Sequence, residues 1–268
     1  MKWWVCILTI AIVCGCTSPQ DKAIHLAQAA GWKWSSVQAG DFDLATAQPA
    51  GQHADTLRIY LEGDGRAYLT PTRASSDPTP TDPVGLKLAL AQPTGYAAYL
   101  ARPCQYGQKR GCNKSFWTNA RYAQEIIAST NLAIDTLKKN AGSSRIILVG
   151  YSGGGALAVL AAAARNDVAG IITIAANLDL AYWTEHNGLS PLTGSVDPSS
   201  VADKVAAISQ MHFTGADDKV TGTKVAQAFV NRLPAGAPVR VVEIPGFTHA
   251  CCWVEAWPQL LSELGPNF

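Results

Sequence analysis

Two kinds of hydrophobic pattern alternate along this chain. Short runs rich in apolar and β-branched residues occur at 34–38, 42–47, 56–61, 96–100, 145–149, 170–175, 210–213 and 239–244, and each reads as a strand. From the middle onward, helical patterns over 119–139, 154–165, 222–232 and 252–264 fall between these runs. Strands that alternate with helices imply parallel pairing through right-handed crossovers. The spacer Ala39-Gly40-Asp41 is too short for a crossover, so the first two strands are expected to pair antiparallel at one edge. The runs IILVG and GIITIA have no polar alternation, as expected of central strands covered on both faces. The pattern thus predicts an α/β fold with about eight mostly parallel strands and helices on both faces. Segment 21–30 reads as a first helix or helical tether, and the Pro/Thr/Asp-rich segment 70–83 as a long loop.

The N-terminus departs from this pattern. In MKWWVCILTIAIVCGCTSPQ, Lys2 precedes an apolar run, 3–13, too short to be a permanent membrane span, which reads as a signal peptide over 1–15. The run ends in Val13-Cys14-Gly15-Cys16, which resembles the bacterial lipobox, where an acylated cysteine becomes the new N-terminus. That resemblance implies a lipid anchor on Cys16, and Thr17-Ser18 without Asp implies sorting to the outer membrane, facing the periplasm. The alternative is an ordinary secretory signal with an incidental cysteine.

Residues 16–268 then form one expected domain, since 48% hydrophobic and 15% charged content suits a single substantial core. Lys and Arg number 21 against 20 Asp and Glu, so the net charge of +1 supplies no basic field for a nucleic acid. A monomer is the default expectation. Loss of the leader would leave Cys104, Cys112, Cys251 and Cys252 as an even set suited to an oxidising compartment. The turn-rich segment CQYGQKRGC favours a local Cys104–Cys112 bridge, leaving Cys251 and Cys252 as a vicinal disulfide or free thiols. No Cys or His spacing suggests zinc, and no metal or cofactor is expected.

Candidate chemistry begins after the strand at 145–149, where Gly150-Tyr151-Ser152-Gly153-Gly154 leads into an alanine-rich helix. A GxSxG sequence between a buried strand and a helix is the context of a nucleophilic serine on a tight, strained turn. A serine hydroxyl needs a base to take its proton, and the base needs a third group to hold its tautomer. His249, past the last strand and before the last helix, is the candidate base. Asp218, just past a short strand, is the candidate acid, with Asp217 and Asp179 as fallbacks. An oxyanion hole needs two N–H donors: Gly153 supplies one, and Asp64, in the Glu62-Gly63-Asp64-Gly65 turn after the third strand, the other. The Asp64 carboxylate would repel a developing oxyanion and is expected to turn away, towards Arg66. The plain alternative for this segment is an Asp-Gly turn.

These features together resemble the α/β-hydrolase superfamily, in particular its bacterial lipoprotein members, over nearly all of the mature chain. The resemblance implies cofactor-free acyl transfer to water through an acyl-serine, with an ester or thioester as substrate. Glu62 stands where the family's HG-type turn has histidine. Segment 177–207 occupies the position of a lid, though it is short for one, and within it Tyr182 and Trp183 either line a pocket or pack the loop. Trp117 and Trp253 carry the same two readings, and Arg121 reads as a solvated or ion-paired surface residue of the first long helix. A peptidase or acyltransferase would use the same triad. Two other classes compete: a non-catalytic envelope lipoprotein that uses the fold as a binding module, and a thiol-redox role for Cys251 and Cys252, which adjacent cysteines suit poorly.

Overall fold

The computed structural model describes residues 17–51, 53–265 and 268. The expected signal peptide and Cys16 lie outside the described residues. In chain order the elements are α1 (Pro19–Ala29), β1 (Trp32–Ala39), β2 (Phe42–Pro49), β3 (Thr56–Leu61), β4 (Tyr68–Thr70) and β5 (Arg73–Ala74). There follow α2 (Val84–Leu90), β6 (Tyr96–Leu100), α3 (Gln124–Ala141), β7 (Arg145–Tyr151), α4 (Gly153–Ala162) and β8 (Val168–Ile174). The chain finishes with α5 (Leu180–His186), β9 (Ser209–Gly215), α6 (Gly222–Val230), β10 (Val239–Ile244) and α7 (Trp253–Ser262).

Eight strands form one sheet in the order β1-β2-β6-β3-β7-β8-β9-β10. The β1–β2 and β2–β6 pairs are antiparallel and the others parallel, so the antiparallel edge expected from the short spacer is present. Alternate side chains of each central strand enter different cores. Leu57, Ile59, Leu61, Ile146 and Leu148 pack with α3, α4 and α6, whereas Tyr60, Ile147, Val149, Ile172 and Ile174 pack with α1, α2 and α7. That two-sided burial explains why the central strands read as unbroken apolar runs.

The helices follow from the same economy of surface. In α3, Ile126, Ile127, Ala133, Ile134, Leu137 and Ala141 repeat at helical spacing and are buried, and the helix ends on Gly142 in a left-handed turn. Every residue of α4 is buried, and its run of Gly and Ala lets it pass close to β7 and β8. Three expectations need correction. The helix anticipated from 119 begins at Gln124, the loop expected over 70–83 instead contains the end of a small β4–β5 hairpin, and α2 was not anticipated.

Candidate active site

The turn between β7 and α4 lies at the carboxyl edge of the parallel strands. Ser152 occupies it with φ 51° and ψ −122°, a backbone conformation that L-residues adopt only under strain. Its N–H donates to the carbonyl of Ile174 at 2.8 Å, which fixes the turn against β8. The last residue of the GxSxG turn must be glycine because a Cβ on Gly154 would overlap the carbonyl of Leu61, at the end of β3. The same close approach brings the loop after β3 beside the serine.

The structure brings Ser152, His249 and Asp218 together. His249 Nε2 lies 3.0 Å from Ser152 Oγ, and Nδ1 lies 3.0 Å from Asp218 Oδ2. With Nδ1–H donating to the carboxylate, Nε2 is left as an acceptor for the serine hydroxyl. Asp218 is held by its own turn: Oδ1 accepts from the N–H groups of Val220 (2.7 Å) and Thr221 (3.1 Å), and Oδ2 from Thr221 Oγ1 (2.7 Å). Burial disfavours charge on this carboxyl, but the hydrogen bonds from His249 and Thr221 outweigh it and hold the group well below the usual carboxylate range. The loop carrying His249 is pinned as well. Its carbonyl accepts from Tyr151 Oη at 3.0 Å and Trp253 Nε1 at 3.1 Å, and burial keeps the Tyr151 phenol protonated and able to donate.

The fallback acids are placed elsewhere. Asp179 caps α5 by accepting from the N–H of Tyr182 at 2.9 Å, and Asp217 is exposed. His212 is fully buried in β9, pushed down to about 3 by that burial, and its Nδ1 meets Thr173 Oγ1 at 2.8 Å.

The turn after β3 is fixed by buried side chains. Glu62 is buried and accepts from Gly63 N (2.9 Å), Gly85 N (3.0 Å) and Tyr99 Oη (3.0 Å), tying the turn to the start of α2. Burial pushes its carboxyl above the ordinary range in spite of these bonds. Gln105 Nε2 donates to the Gly63 carbonyl at 3.0 Å. Because the Gly63–Asp64 peptide is trans, the N–H of Asp64 points opposite to that carbonyl. The N–H groups of Asp64 and Gly153 make no internal hydrogen bond among the described residues.

The partners of the Asp64 carboxylate do not include Arg66. The carboxylate forms ion pairs with Arg102 and Arg121 and accepts from Tyr122 Oη at 3.2 Å. Burial works against its charge, and the two arginines outweigh that and hold the carboxyl below its usual range. Arg121 is therefore not a surface residue: it precedes α3 and is 7% exposed. A Cβ on Gly153 would overlap the Asp64 carboxylate, so this ion-paired cluster abuts the residue after the serine.

A cleft of roughly 480 Å³ opens over Ser152 and His249, walled by Tyr68, Pro80, Val84, Trp183 and Val220. Trp183 lines it, with Nε1 bonded to the Val220 carbonyl at 2.8 Å, whereas Tyr182 stacks on His186 and borders a different hollow. Trp117 and Trp253 do not line the cleft. Trp117 braces the loop at Ser75, and Trp253 supports the His249 loop. Disulfides join Cys104 to Cys112 and Cys251 to Cys252. Sequence reasoning passed over Arg102, Gln105, Tyr122 and Thr221. Only Thr221, three residues after Asp218, had a local signal, that of a side chain bonding within its own turn.

Among solved structures, Est1E from Butyrivibrio proteoclasticus with ferulic acid bound superposes with a TM-score of 0.61 at 14% identity, covering 85% of this chain and 98% of that one. The esterase Pf2001 from Pyrococcus furiosus matches with a TM-score of 0.61 at 13% identity, over 88% and 93% of the two chains. An α/β serine hydrolase homologue from Coxiella burnetii matches with a TM-score of 0.58 at 18% identity, over 87% and 97%. No family model and no curated protein sequence matches the chain. The architecture and these superpositions give the chain the α/β-hydrolase fold.

Proposed function

We propose that the protein is a serine hydrolase that cleaves carboxylic esters or thioesters through an acyl-serine intermediate. The observation that carries this reading is the unbroken chain from Ser152 Oγ through the His249 ring to the Asp218 carboxylate, with both contacts at 3.0 Å. In the acylation step, Oγ adds to the substrate carbonyl carbon while Nε2 takes its proton, and Asp218 stabilises the imidazolium that results. The carbonyl π electrons move to oxygen, and the N–H groups of Gly153 and Asp64 would stabilise the charge that develops there. Collapse expels the alcohol or thiol, protonated from Nε2. Water then repeats the sequence on the acyl-serine, releasing the acid and restoring the hydroxyl.

Acylated Cys16 would hold the enzyme on the outer membrane, facing the periplasm. Support for that anchor comes from the leader and its lipobox-like end. No helix among the described residues is long and apolar enough to cross a membrane. Radiolabelled palmitate incorporated by the wild type and lost in Cys16→Ala supports the anchor; label retained by Cys16→Ala contradicts it.

The catalytic reading is tested with p-nitrophenyl esters of graded acyl length. Turnover by the wild type that falls by about 10³-fold or more in Ser152→Ala and in His249→Ala supports it. Equal turnover by wild type and Ser152→Ala contradicts it.

A further inference from the structure

Six described residues carry a buried polar side-chain atom with no hydrogen-bond partner: Gln48, Arg58, Ser129, Asn177, Gln210 and His212. Of these, only Asn177 lines the cleft over Ser152. It is 2% exposed, and its Oδ1 meets no donor. A buried amide oxygen left unpaired is costly, and native proteins rarely tolerate one unless something else completes it.

The backbone around Asn177 is also unusual. The chain leaves β8 through Ala175, a fully buried non-glycine residue with φ 48°, in the left-handed region that favours glycine. The Ala175 N–H is held by the carbonyl of Phe213 at 2.9 Å, and a Cβ on Gly155 would overlap the Cβ of Ala176. Two strained residues, Ser152 and Ala175, thus directly follow the adjacent strands β7 and β8, and the Ser152–Ile174 bond ties their ends together. Strain of this kind persists where the surroundings enforce it and clusters at ligand sites. Asn177, whose Oδ1 has no protein partner, follows two residues after Ala175 and lines the nucleophile's cleft.

We infer that Asn177 reads the substrate, by hydrogen-bonding an uncharged hydroxyl or carboxamide carried near the scissile carbonyl. An amide both accepts and donates, so its complement is a group that does the same. An Asp, Glu or Lys at this position would instead select a charged partner. The selected substrates are polar-substituted esters rather than plain alkyl ones. Discrimination arises because the unsubstituted analogue leaves the amide buried and unsatisfied.

The inference rests on the serine-hydrolase reading, and one experiment separates their failures. Wild type and Asn177→Leu, which keeps the side chain's size and removes the amide, are compared on ester pairs differing by one hydroxyl. One pair varies the acyl group (p-nitrophenyl propanoate against its β-hydroxy analogue), the other the alcohol (ethyl butanoate against hydroxyethyl butanoate). Labelling of Ser152 by a fluorophosphonate monitors the nucleophile in each protein. The expected result is that wild type favours the hydroxylated member of one pair in kcat/KM. Asn177→Leu should lose about tenfold or more of that preference while still labelling. Should Asn177→Leu not fold, Asn177→Ser, which retains a hydroxyl, is expected to keep part of the preference, and Asn177→Ala to lose it. An unchanged preference in variants that label normally overturns the inference and leaves the hydrolase reading standing. Labelled wild type that shows no preference in either pair does the same. Folded wild type that does not label at all removes both.

Discussion

The side-chain amide of Gln105 donates to the carbonyl of Gly63 at 3.0 Å, and through the planarity of one peptide this aims the N–H of Asp64 away from Gln105. Gln105 is itself fixed, since its Oε1 accepts from the Arg102 N–H at 3.1 Å and it is 1% exposed. One candidate oxyanion donor is therefore set by a residue from a loop more than forty positions away in sequence.

Gln105→Leu is predicted to lower kcat by about 10²-fold, the order of removing one oxyanion donor, with little change in KM. Steady-state kinetics on an activated ester measures this. A variant that loses only thermal stability while keeping kcat would show Gln105 to be mere packing.

Arg102 and Arg121 share the Asp64 carboxylate, and all three side chains are largely removed from solvent. Breaking a buried ion pair from one side leaves uncompensated charge, so Arg102→Met is predicted to destabilise the fold by about 3–5 kcal/mol. Urea denaturation of wild type and variant tests the magnitude. A loss below about 1 kcal/mol would mean that solvent reaches the cluster and screens it.

The Cys104–Cys112 bridge closes the loop that carries Gln105 and runs on from Arg102. Closing so short a loop restricts the unfolded chain, and replacing both cysteines by alanine should cost about 2–3 kcal/mol. The same variant should lose activity at temperatures where it is still folded, because the loop braces the turn after β3. Melting curves and activity measured on one preparation separate the two effects.

Acid should unfold the protein through its depressed carboxyls. Although burial opposes charge on Asp167, hydrogen bonds from Arg165 and Lys138 hold it at about 2, and Asp218 and Asp64 are also lowered. A carboxyl depressed in the folded state contributes stability that is complete above its unfolded value, near 4, and lost as pH falls through the folded one. Stability is thus predicted to hold at pH 5 and to decline steadily between about 4 and 2. Asp167→Asn should flatten that decline in chemical denaturation at graded pH, and an unchanged slope would contradict the assignment.

Much of this was legible in the sequence because it is local. The buried-strand run before Gly150, the glycines around Ser152 and the alanine-rich segment after it mark a turn that few other arrangements accept, and His249 stood alone between the last strand and last helix. The misreadings have long-range causes. The helical pattern continues back through Ala120 and Tyr122, yet α3 starts at Gln124. Before it, the Tyr122 N–H is bonded to Ser195 Oγ (3.1 Å), and Arg121 is drawn into the buried cluster with Asp64. Helix α2 is short, follows Pro83, and has its first N–H groups satisfied by Glu62 from another strand's loop, which no local pattern reveals. Ion-pair partners were misassigned for the same reason. Arg66 is near Asp64 in sequence, whereas Arg102 and Arg121 are near it in space.

The proposed hydrolysis requires Ser152 to be a nucleophile activated by His249. Intact-mass spectrometry after treatment with a fluorophosphonate probes that activation itself, because the reagent bonds covalently to an activated serine and to few other groups. The expected result is a single adduct on the peptide containing Ser152, absent from Ser152→Ala and formed far more slowly in His249→Ala. Folded wild-type protein that takes up no adduct, or one that appears equally in Ser152→Ala, would contradict it.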